Sequence, residues 1–136
     1  MIKKKIGVLG SIAIDNIFTV ESIPAKGQRV FGSLIGSFVG GIGANQAMEL
    51  ARYTPDVYFL GQIGADDASD KIINYLSEKE VNTSRIIKHD THTGQTYMYL
   101  ISGKRDYFSI VDRGANNAST DDSLDISLWL EGLDIL

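Results

Sequence analysis

Residues 40–47 read Gly-Gly-Ile-Gly-Ala-Asn-Gln-Ala, a stretch rich in glycine and alanine. The glycines predict a turn, and the alanine spacing after them predicts a helix from about Ala44 that ends before Pro55. Because glycine has no side chain, the turn can approach a ligand closely and adopt positive φ. A helix start also presents free N–H groups and partial positive charge. The stretch therefore predicts a turn and helix start that can bind a small molecule.

Three β segments precede this turn. Ile6–Ile12 is apolar without alternation, which is typical of a strand buried on both faces. Ile17–Ser22 and Val30–Val39 come next as a β pair joined by a turn at 24–27. Alternation in the second segment predicts one shared face for Phe31, Ser33, Ile35, Ser37 and Val39. Such a face can close over a ligand.

Strands and helices alternate after the turn. Val57–Ile63 is predicted as a buried strand, and Asp66 or Ser69 as the cap of a helix to about Lys79. The other predicted elements are a short strand at 85–88, a hairpin of Gln95–Ile101 and Tyr107–Val111, a helix from about Thr120 to Glu131, and a strand that begins at 133–136. This order predicts a parallel α/β core with a separate small β-sheet.

Composition limits the classes of function. The chain has 136 residues, of which 43% are hydrophobic and 22% charged, enough for one domain with a core. Its net charge of −4 and the absence of a basic cluster beyond Lys3–Lys5 argue against a nucleic-acid partner. It has no cysteine, which excludes disulfides and thiolate metal sites. With no signal-peptide cleavage pattern and no run of ~20 apolar residues, we expect a cytoplasmic protein without a membrane partner.

Asp15 is the first candidate binding residue. It is predicted just past the end of the first buried strand, where open α/β sheets bind their ligands. Its two carboxylate oxygens can accept hydrogen bonds from two adjacent hydroxyls, which suits a polyol. A turn residue that bonds the local backbone is an equally good interpretation of this position.

Two nucleotide-binding motifs can be compared with the glycine turn. A dinucleotide fingerprint would have a third glycine where Gln46 stands, and its turn would follow the first strand of a βαβ unit. The glycine turn does not match this pattern. The chain has no Gly-Lys-Ser/Thr sequence for a Walker motif. A plain glycine turn with a capping Asn45 remains open.

Three blocks of the sequence carry a family resemblance. Gly10–Asp15, Gly40–Ala47 and Gly61–Asp67 resemble successive N-terminal blocks of ribokinase-like kinases of the PfkB family, in the same order and spacing. Thr93-Gly94 and Gly114–Asn116 are similar to further landmarks of that family. The similarity extends over nearly all of the chain and matches the N-terminal half of such a kinase.

The resemblance implies a doubly wound, Rossmann-like parallel sheet, incomplete at the C-terminus, with a β-sheet lid formed by about 17–39 and 95–111. It implies ATP-dependent phosphorylation of a sugar hydroxyl with Mg²⁺, and lids that also form dimer contacts. The substrate-binding residues it implies are Asp15, Gly40, Gly41, Asn45 and Thr96.

The sequence departs from the family at several places. Ile42 stands where ribokinases commonly have lysine, and Ala13 replaces an asparagine that helps to hold ribose, so another sugar or a nucleoside is an alternative substrate. No Gly-Ala-Gly-Asp motif occurs, and Asp106, Asp112 and Asp121 lack its glycine context. We therefore expect no catalytic, cofactor or metal site in this chain, with ATP and Mg²⁺ bound only by a complete enzyme.

The chain can be interpreted in two ways. The first is a truncated sugar kinase that is inactive alone, which the ending at a strand start favours. The second is a non-enzymatic sugar- or nucleoside-binding module, or a subunit completed by another polypeptide. In either case an unpaired sheet edge and the lid residues Phe31, Ile35, Tyr97 and Tyr99 predict self-association.

Overall fold

The computed structural model describes residues 4–118 and 125–136. Its strands are β1 (Ile6–Leu9), β2 (Ala13–Val20), β3 (Gly32–Gly40), β4 (Val57–Leu60), β5 (Gln62–Gly64), β6 (Ile87–His89), β7 (Gln95–Ile101) and β8 (Tyr107–Asp112). Its helices are α1 (Ile42–Ala51), α2 (Asp67–Glu78) and α3 (Ile126–Leu130), with a short 3₁₀ helix at Gly114–Asn117. The start of the helix predicted from 120 lies outside the described residues. No helix within the described ranges is long and apolar enough to cross a membrane.

The core is built on two parallel strands. β1 pairs with β4 in register from Ile6–Val57 to Leu9–Leu60. Single parallel bridges extend this pair on both sides, from Ile6 to Ile135 and from Tyr58 to Asn82. The α/β class with a parallel core is therefore confirmed, and the segment predicted to begin a strand at 133–136 does pair with β1.

Helix α1 lies very close to the strand end that precedes it. A Cβ atom added at Gly43 would lie 2.6 Å from the Cα of Gly10, so both positions must lack a side chain. Ala44 and Ala47 on the same helix are fully buried. Small residues on this face bring the helix start against the backbone that leads from β1 to β2.

A separate four-stranded sheet has the order β3-β2-β7-β8. β2 and β7 are parallel, while the outer strands are antiparallel to their neighbours. The separate small sheet and the 95–101 and 107–111 hairpin are thus confirmed. However, β2 begins at Ala13 instead of Ile17, because Ile14 N–H donates to the Gly94 carbonyl (2.9 Å) and is held beside β7.

The predicted common face of residues 31–39 is wrong. A β-bulge shifts the register, so that Ile17 pairs with Gly36 but Phe18 pairs with Leu34. Ile35 is the extra residue on β3. A one-residue shift reverses the face of every later side chain, so Ser33 and Ser37 lie on opposite faces.

The segment predicted as one strand over 57–63 is two strands. β4 ends at Leu60, and β5 pairs with β6 in a different two-stranded sheet. The chain changes partner at Gly61, whose carbonyl accepts a hydrogen bond from Ile87 N–H (2.9 Å). That bond also explains why β6 begins at Ile87 and not at 85. Helix α1 likewise begins at Ile42, slightly before the predicted start.

Asp66 joins α2 to the start of β7. It is the N-cap of α2 and accepts from Ser69 N–H (3.1 Å). Its carboxylate also accepts from the backbone N–H (2.7 Å) and the hydroxyl (2.6 Å) of Thr93, which is fully buried. Burial raises the pKa of Asp66, but the Thr93 and Ser69 hydrogen bonds outweigh it and lower the pKa below its ordinary value.

We predict that Asp66→Ala lowers the free energy of unfolding by about 1–3 kcal/mol, because Thr93 is left with unpaired buried donors. Since the folded pKa is lowered, the contribution of Asp66 is present above the ordinary carboxyl pKa and is lost as pH falls through the folded value. Urea unfolding of the purified chain between neutral and acidic pH measures both effects. Asp67→Ala, at an exposed neighbour, is the control; equal losses in the two variants would contradict this role.

Candidate functional site

Asp15 and Thr96 lie side by side on one face of the four-stranded sheet. Asp15 pairs with Phe38 on β3 and with Thr96 on β7, and Thr96 pairs with Val111 on β8. Directly paired residues share a face, about 4.5–5.5 Å apart. The structure thus brings together two of the predicted site residues, with Asp15 inside β2, six residues after β1 ends at Leu9.

A cleft of about 400 Å³ is lined by Thr96 and Val111 of this row and by Gly41 and Ile42 at the start of α1, but not by Asp15 or Gly40. This volume falls in the range of about 300–1,000 Å³ that is typical of small-molecule sites. Its lining residues come from four parts of the chain: Ser11, Ala13, Gly41, Ile42, Thr96, Val111, Asp112, Arg113 and Asn116.

Gly40 makes room for the Asp15 carboxylate. A Cβ atom at position 40 would overlap the Asp15 carboxylate, at Oδ2 and at the carboxylate carbon. Gly40 pairs with Ala13, two residues before Asp15 on the same face of β2. The sequence pattern predicted Gly40 as part of a ligand-binding turn. In the structure, the lack of a side chain at Gly40 leaves room for Asp15 on the neighbouring strand.

Gly41 has a conformation that other residues rarely adopt. Its φ is 100° and its ψ is 140°. A Cβ atom there would also lie 2.7 Å from both the Ile12 Cα and the Ser11 carbonyl oxygen. Gly41 is the N-cap of α1 and makes no side-chain cap bond, and the first turn carries no acidic residue. Backbone and not side chain therefore forms this wall of the cleft.

Asn116 binds the backbone of Ile12, the residue that Gly41 also approaches, and the sequence did not reveal this role. Its side-chain amide accepts from Ile12 N–H (3.0 Å) and donates to the Ile12 carbonyl (2.7 Å). It also donates to the Arg113 carbonyl (3.1 Å). The motif at 114–116 was a signal of importance, but the partner lies 104 residues away in sequence.

Asn45 is not among the residues that line the cleft. It lies one helical turn from Gly41, to whose carbonyl its N–H donates (3.0 Å). Its exposed side chain lines a groove of about 740 Å³ between α1 and α2, with Glu49, Tyr75 and Lys79. This groove is larger than the cleft, yet the Glu49 carboxylate already accepts from Arg52 (2.9 Å). A contact of Asn45 with a sugar stays a prediction.

The far end of the cleft carries two neighbouring charges, Asp112 and Arg113. Asp112 Oδ2 lies 2.9 Å from His92 Nε2, and Asp112 Oδ1 accepts from Gly114 N–H (3.1 Å). The His92 hydrogen bond, together with the weaker effect of the Gly114 N–H, lowers the pKa of Asp112. Asp112 is therefore ionised at neutral pH, and it lines the cleft while bonded to His92 and Gly114.

Comparison with known proteins assigns the family. The model for the pfkB family carbohydrate kinases matches residues 3–136. Ribokinase of Bacillus subtilis is 32% identical over 117 residues, which cover 86% of this chain and 40% of that protein. The chain belongs to the PfkB family of carbohydrate kinases and spans about 40% of the length of this curated relative.

Solved structures agree with the fold. Ribokinase from Thermotoga maritima superposes with a TM-score of 0.80 at 26% identity, covering 97% of this chain and 44% of that one. Arabidopsis thaliana ribokinase, complexed with ribose and ATP, gives a TM-score of 0.73 at 27% identity, covering 85% and 38%. The ribokinase-like α/β fold is thereby confirmed.

The Gly40–Asp15 contact can be tested without any ligand. We predict that Gly40→Ala lowers the free energy of unfolding by about 1–3 kcal/mol, because the new methyl group displaces the Asp15 carboxylate. In an Asp15→Ala background the same substitution should cost less, since the overlapping group is gone. Chemical unfolding of the four members of this double-mutant cycle measures the coupling. Additive costs would show that the carboxylate does not pack on Gly40.

Proposed function

We propose that this chain is the sugar-binding part of an ATP-dependent kinase of the PfkB family. The observation that carries the proposal is the cleft lined by Thr96 and Gly41, beside which Asp15 pairs with Thr96. There the Asp15 carboxylate accepts hydrogen bonds from two adjacent sugar hydroxyls, and Thr96 can both donate and accept. Gly41 brings the backbone close to the sugar.

The four-stranded sheet acts as a lid in this proposal. Its segments at about 17–39 and 95–111 correspond to the lid that the family resemblance implies, extended by the structure to Ala13 and Asp112. Phe38 and Val111 lie in the Asp15 row and are 51% and 61% exposed. Apolar side chains at these positions would cover a bound sugar and exclude water, which strengthens its polar contacts.

The phosphoryl transfer itself needs groups that we do not assign to this chain. A general base must lie within hydrogen-bond reach of the attacking hydroxyl, and the chain has no Gly-Ala-Gly-Asp sequence to supply it. Among residues 4–118 and 125–136 no cluster of three His, Cys, Asp or Glu side chains can hold a metal. When bound, ATP would supply the phosphoryl group and Mg²⁺ would neutralise its charge. We place both in the complete enzyme.

We propose that the substrate is a sugar, with ribose less favoured than another sugar and a nucleoside as the alternative. Both positions at which the sequence departs from ribokinases, Ala13 and Ile42, line the cleft. They replace polar or charged groups by apolar ones and so change the surface that a sugar meets. A non-enzymatic sugar- or nucleoside-binding module is the second candidate, and the same cleft would serve it.

We predict that the purified chain binds a sugar or nucleoside and that Asp15→Ala weakens this binding about 10-fold or more, through loss of charge-assisted hydrogen bonds. Isothermal titration calorimetry with pentoses, hexoses and nucleosides measures it. Asp106→Ala, in the turn between β7 and β8, is the matched control. Unchanged binding by the Asp15 variant would rule out this site.

We also predict no ATP-dependent phosphorylation by the purified chain with any of these acceptors. An ADP-release assay checks it, with Asp15→Ala as the companion variant. Turnover by the wild-type chain that Asp15→Ala abolishes would contradict our assignment of the catalytic groups to the rest of the enzyme.

We also propose that copies of this chain associate with each other. Phe31, Leu34 and Ile35, in or next to the outer strand β3, are 83%, 56% and 55% exposed, and Leu136 beside β1 is 63% exposed. Exposed edges and apolar patches of this kind promote pairing between chains. We expect light scattering at micromolar concentration to show dimers or larger species, reduced by Phe31→Ser. A monomer at all concentrations would contradict it.

A further inference from the structure

Asn116 connects two segments of the chain that line the cleft. β8 ends at Asp112, and the 3₁₀ helix that carries Asn116 begins two residues later. The side chain of Asn116 is half-buried and itself lines the cleft. From there its amide reaches Ile12, which lies between two other lining residues, Ser11 and Ala13. One side chain therefore joins the segment 11–13 to the end of the four-stranded sheet.

The amide of Asn116 pairs the backbone of Ile12 as a neighbouring strand would. Its Oδ1 accepts from Ile12 N–H (3.0 Å), and its Nδ2 donates to the Ile12 carbonyl (2.7 Å). Ile12 lies between the end of β1 and the start of β2, and it is fully buried. A side-chain amide carries an acceptor and donors together, so it can bind both backbone groups of one residue. Leaving two such buried groups unpaired would be costly.

The same amide also binds the segment that follows β8. Asn116 Nδ2 donates to the Arg113 carbonyl (3.1 Å), and the backbone N–H of Asn116 donates to the same oxygen (2.9 Å). Arg113 lines the cleft together with Val111 and Asp112. An amide nitrogen has two hydrogens, and the carbonyls of Ile12 and Arg113 take both. Asn116 therefore acts on a ligand through the backbone that it holds.

Two glycines give this arrangement its space. A Cβ atom added at Gly94 would overlap Asn116 Nδ2. A Cβ atom added at Gly41 would lie 2.7 Å from the Cα of Ile12. The backbone of Ile12 is thus bonded by Asn116 and closely packed by Gly41. A shift of the Asn116 amide would move the segment 11–13 relative to Gly41, and both of these line the cleft.

We propose that Asn116 is a positioning residue, which holds the segments 11–13 and 111–113 at the separation that a sugar or nucleoside in the cleft requires. This inference rests on the proposed function of the cleft and adds a residue that controls affinity without donating to the ligand. A site whose walls are already fixed binds more tightly, because the ligand does not have to order them.

Asn116→Asp tests the proposal on the purified chain, because an ionised carboxylate has nearly the same shape but no donors. Isothermal titration calorimetry with D-ribose, D-fructose and adenosine should show the Kd of any probe that the wild type binds raised about 10-fold or more. Circular dichroism checks that each variant is folded. Asn117→Asp, the same change at the exposed next residue, should leave the Kd within about twofold.

Two further measurements distinguish positioning from a general effect on stability. Ile72→Val removes one buried carbon from α2, outside the cleft lining, and should lower stability while leaving the Kd within about twofold. In the ¹⁵N-labelled wild type, the Nδ2 hydrogens of Asn116 give their own signals. These signals should shift when the bound probe is added, because the ligand contacts the segments that the amide joins. The side-chain amide signals of Asn117 should stay in place.

The outcomes separate this inference from the proposed function. Binding that Asp15→Ala weakens and Asn116→Asp leaves within about twofold would overturn the role of Asn116 and leave the sugar site standing. Equal weakening by Ile72→Val would overturn it as well, since the cause would then be stability. If Asn116→Asp does not fold, the wild-type spectrum decides: fixed Asn116 Nδ2 signals beside a shifted Gly41 amide would contradict the role. Binding of no probe by the wild type would contradict both proposals.

Discussion

The backbone at 10–12 packs closely against the turn at 40–43, and this contact joins the parallel core to the four-stranded sheet. β1 ends and β2 begins on one side of this contact, while β3 ends and α1 begins on the other. Ala44 N–H donates to the Ser11 carbonyl (3.2 Å), and neither Gly41 nor Gly43 has space for a Cβ atom. The contact therefore fixes how the four-stranded sheet leaves the parallel core, and with it the shape of the cleft.

Two polar anchors hold the strand that carries Thr96 and the segment that carries Arg113 against this contact. Asp66 binds Thr93 directly before β7, and the next residue, Gly94, accepts from Ile14 N–H. Asn116 binds both backbone groups of Ile12. Because these partners are far apart in sequence, the cleft exists only in the folded chain. Loss of either anchor would change the cleft as well as the stability.

The sequence pattern correctly predicted the helices and strands that depend on residues close together in the sequence. The alanine spacing after Gly43 predicted α1, and the tyrosine alternation predicted the hairpin from Gln95. The turn motif also pointed to Gly41. Pattern failed where the cause is a distant partner: the bulge at Ile35 reverses a face only because β2 pairs there, and Gly61 ends β4 because β6 takes its carbonyl.

The candidate site shows the same division, since Asp15 and Thr96 were recognised from motif order, and the register places them side by side. By contrast, the overlap of Gly40 with Asp15, the Ile12 clamp of Asn116 and the position of Arg113 in the cleft depend on which strands become neighbours.

The most direct test of the sugar site is an NMR titration of the ¹⁵N-labelled chain with whichever sugar or nucleoside binds it. Amide signals report which backbone groups a ligand meets, independently of any substitution. We expect the largest shifts at Asp15, Gly41 and Thr96, around the cleft. Shifts confined to the groove between α1 and α2, at Glu49, Tyr75 and Lys79, would contradict a sugar site in the cleft.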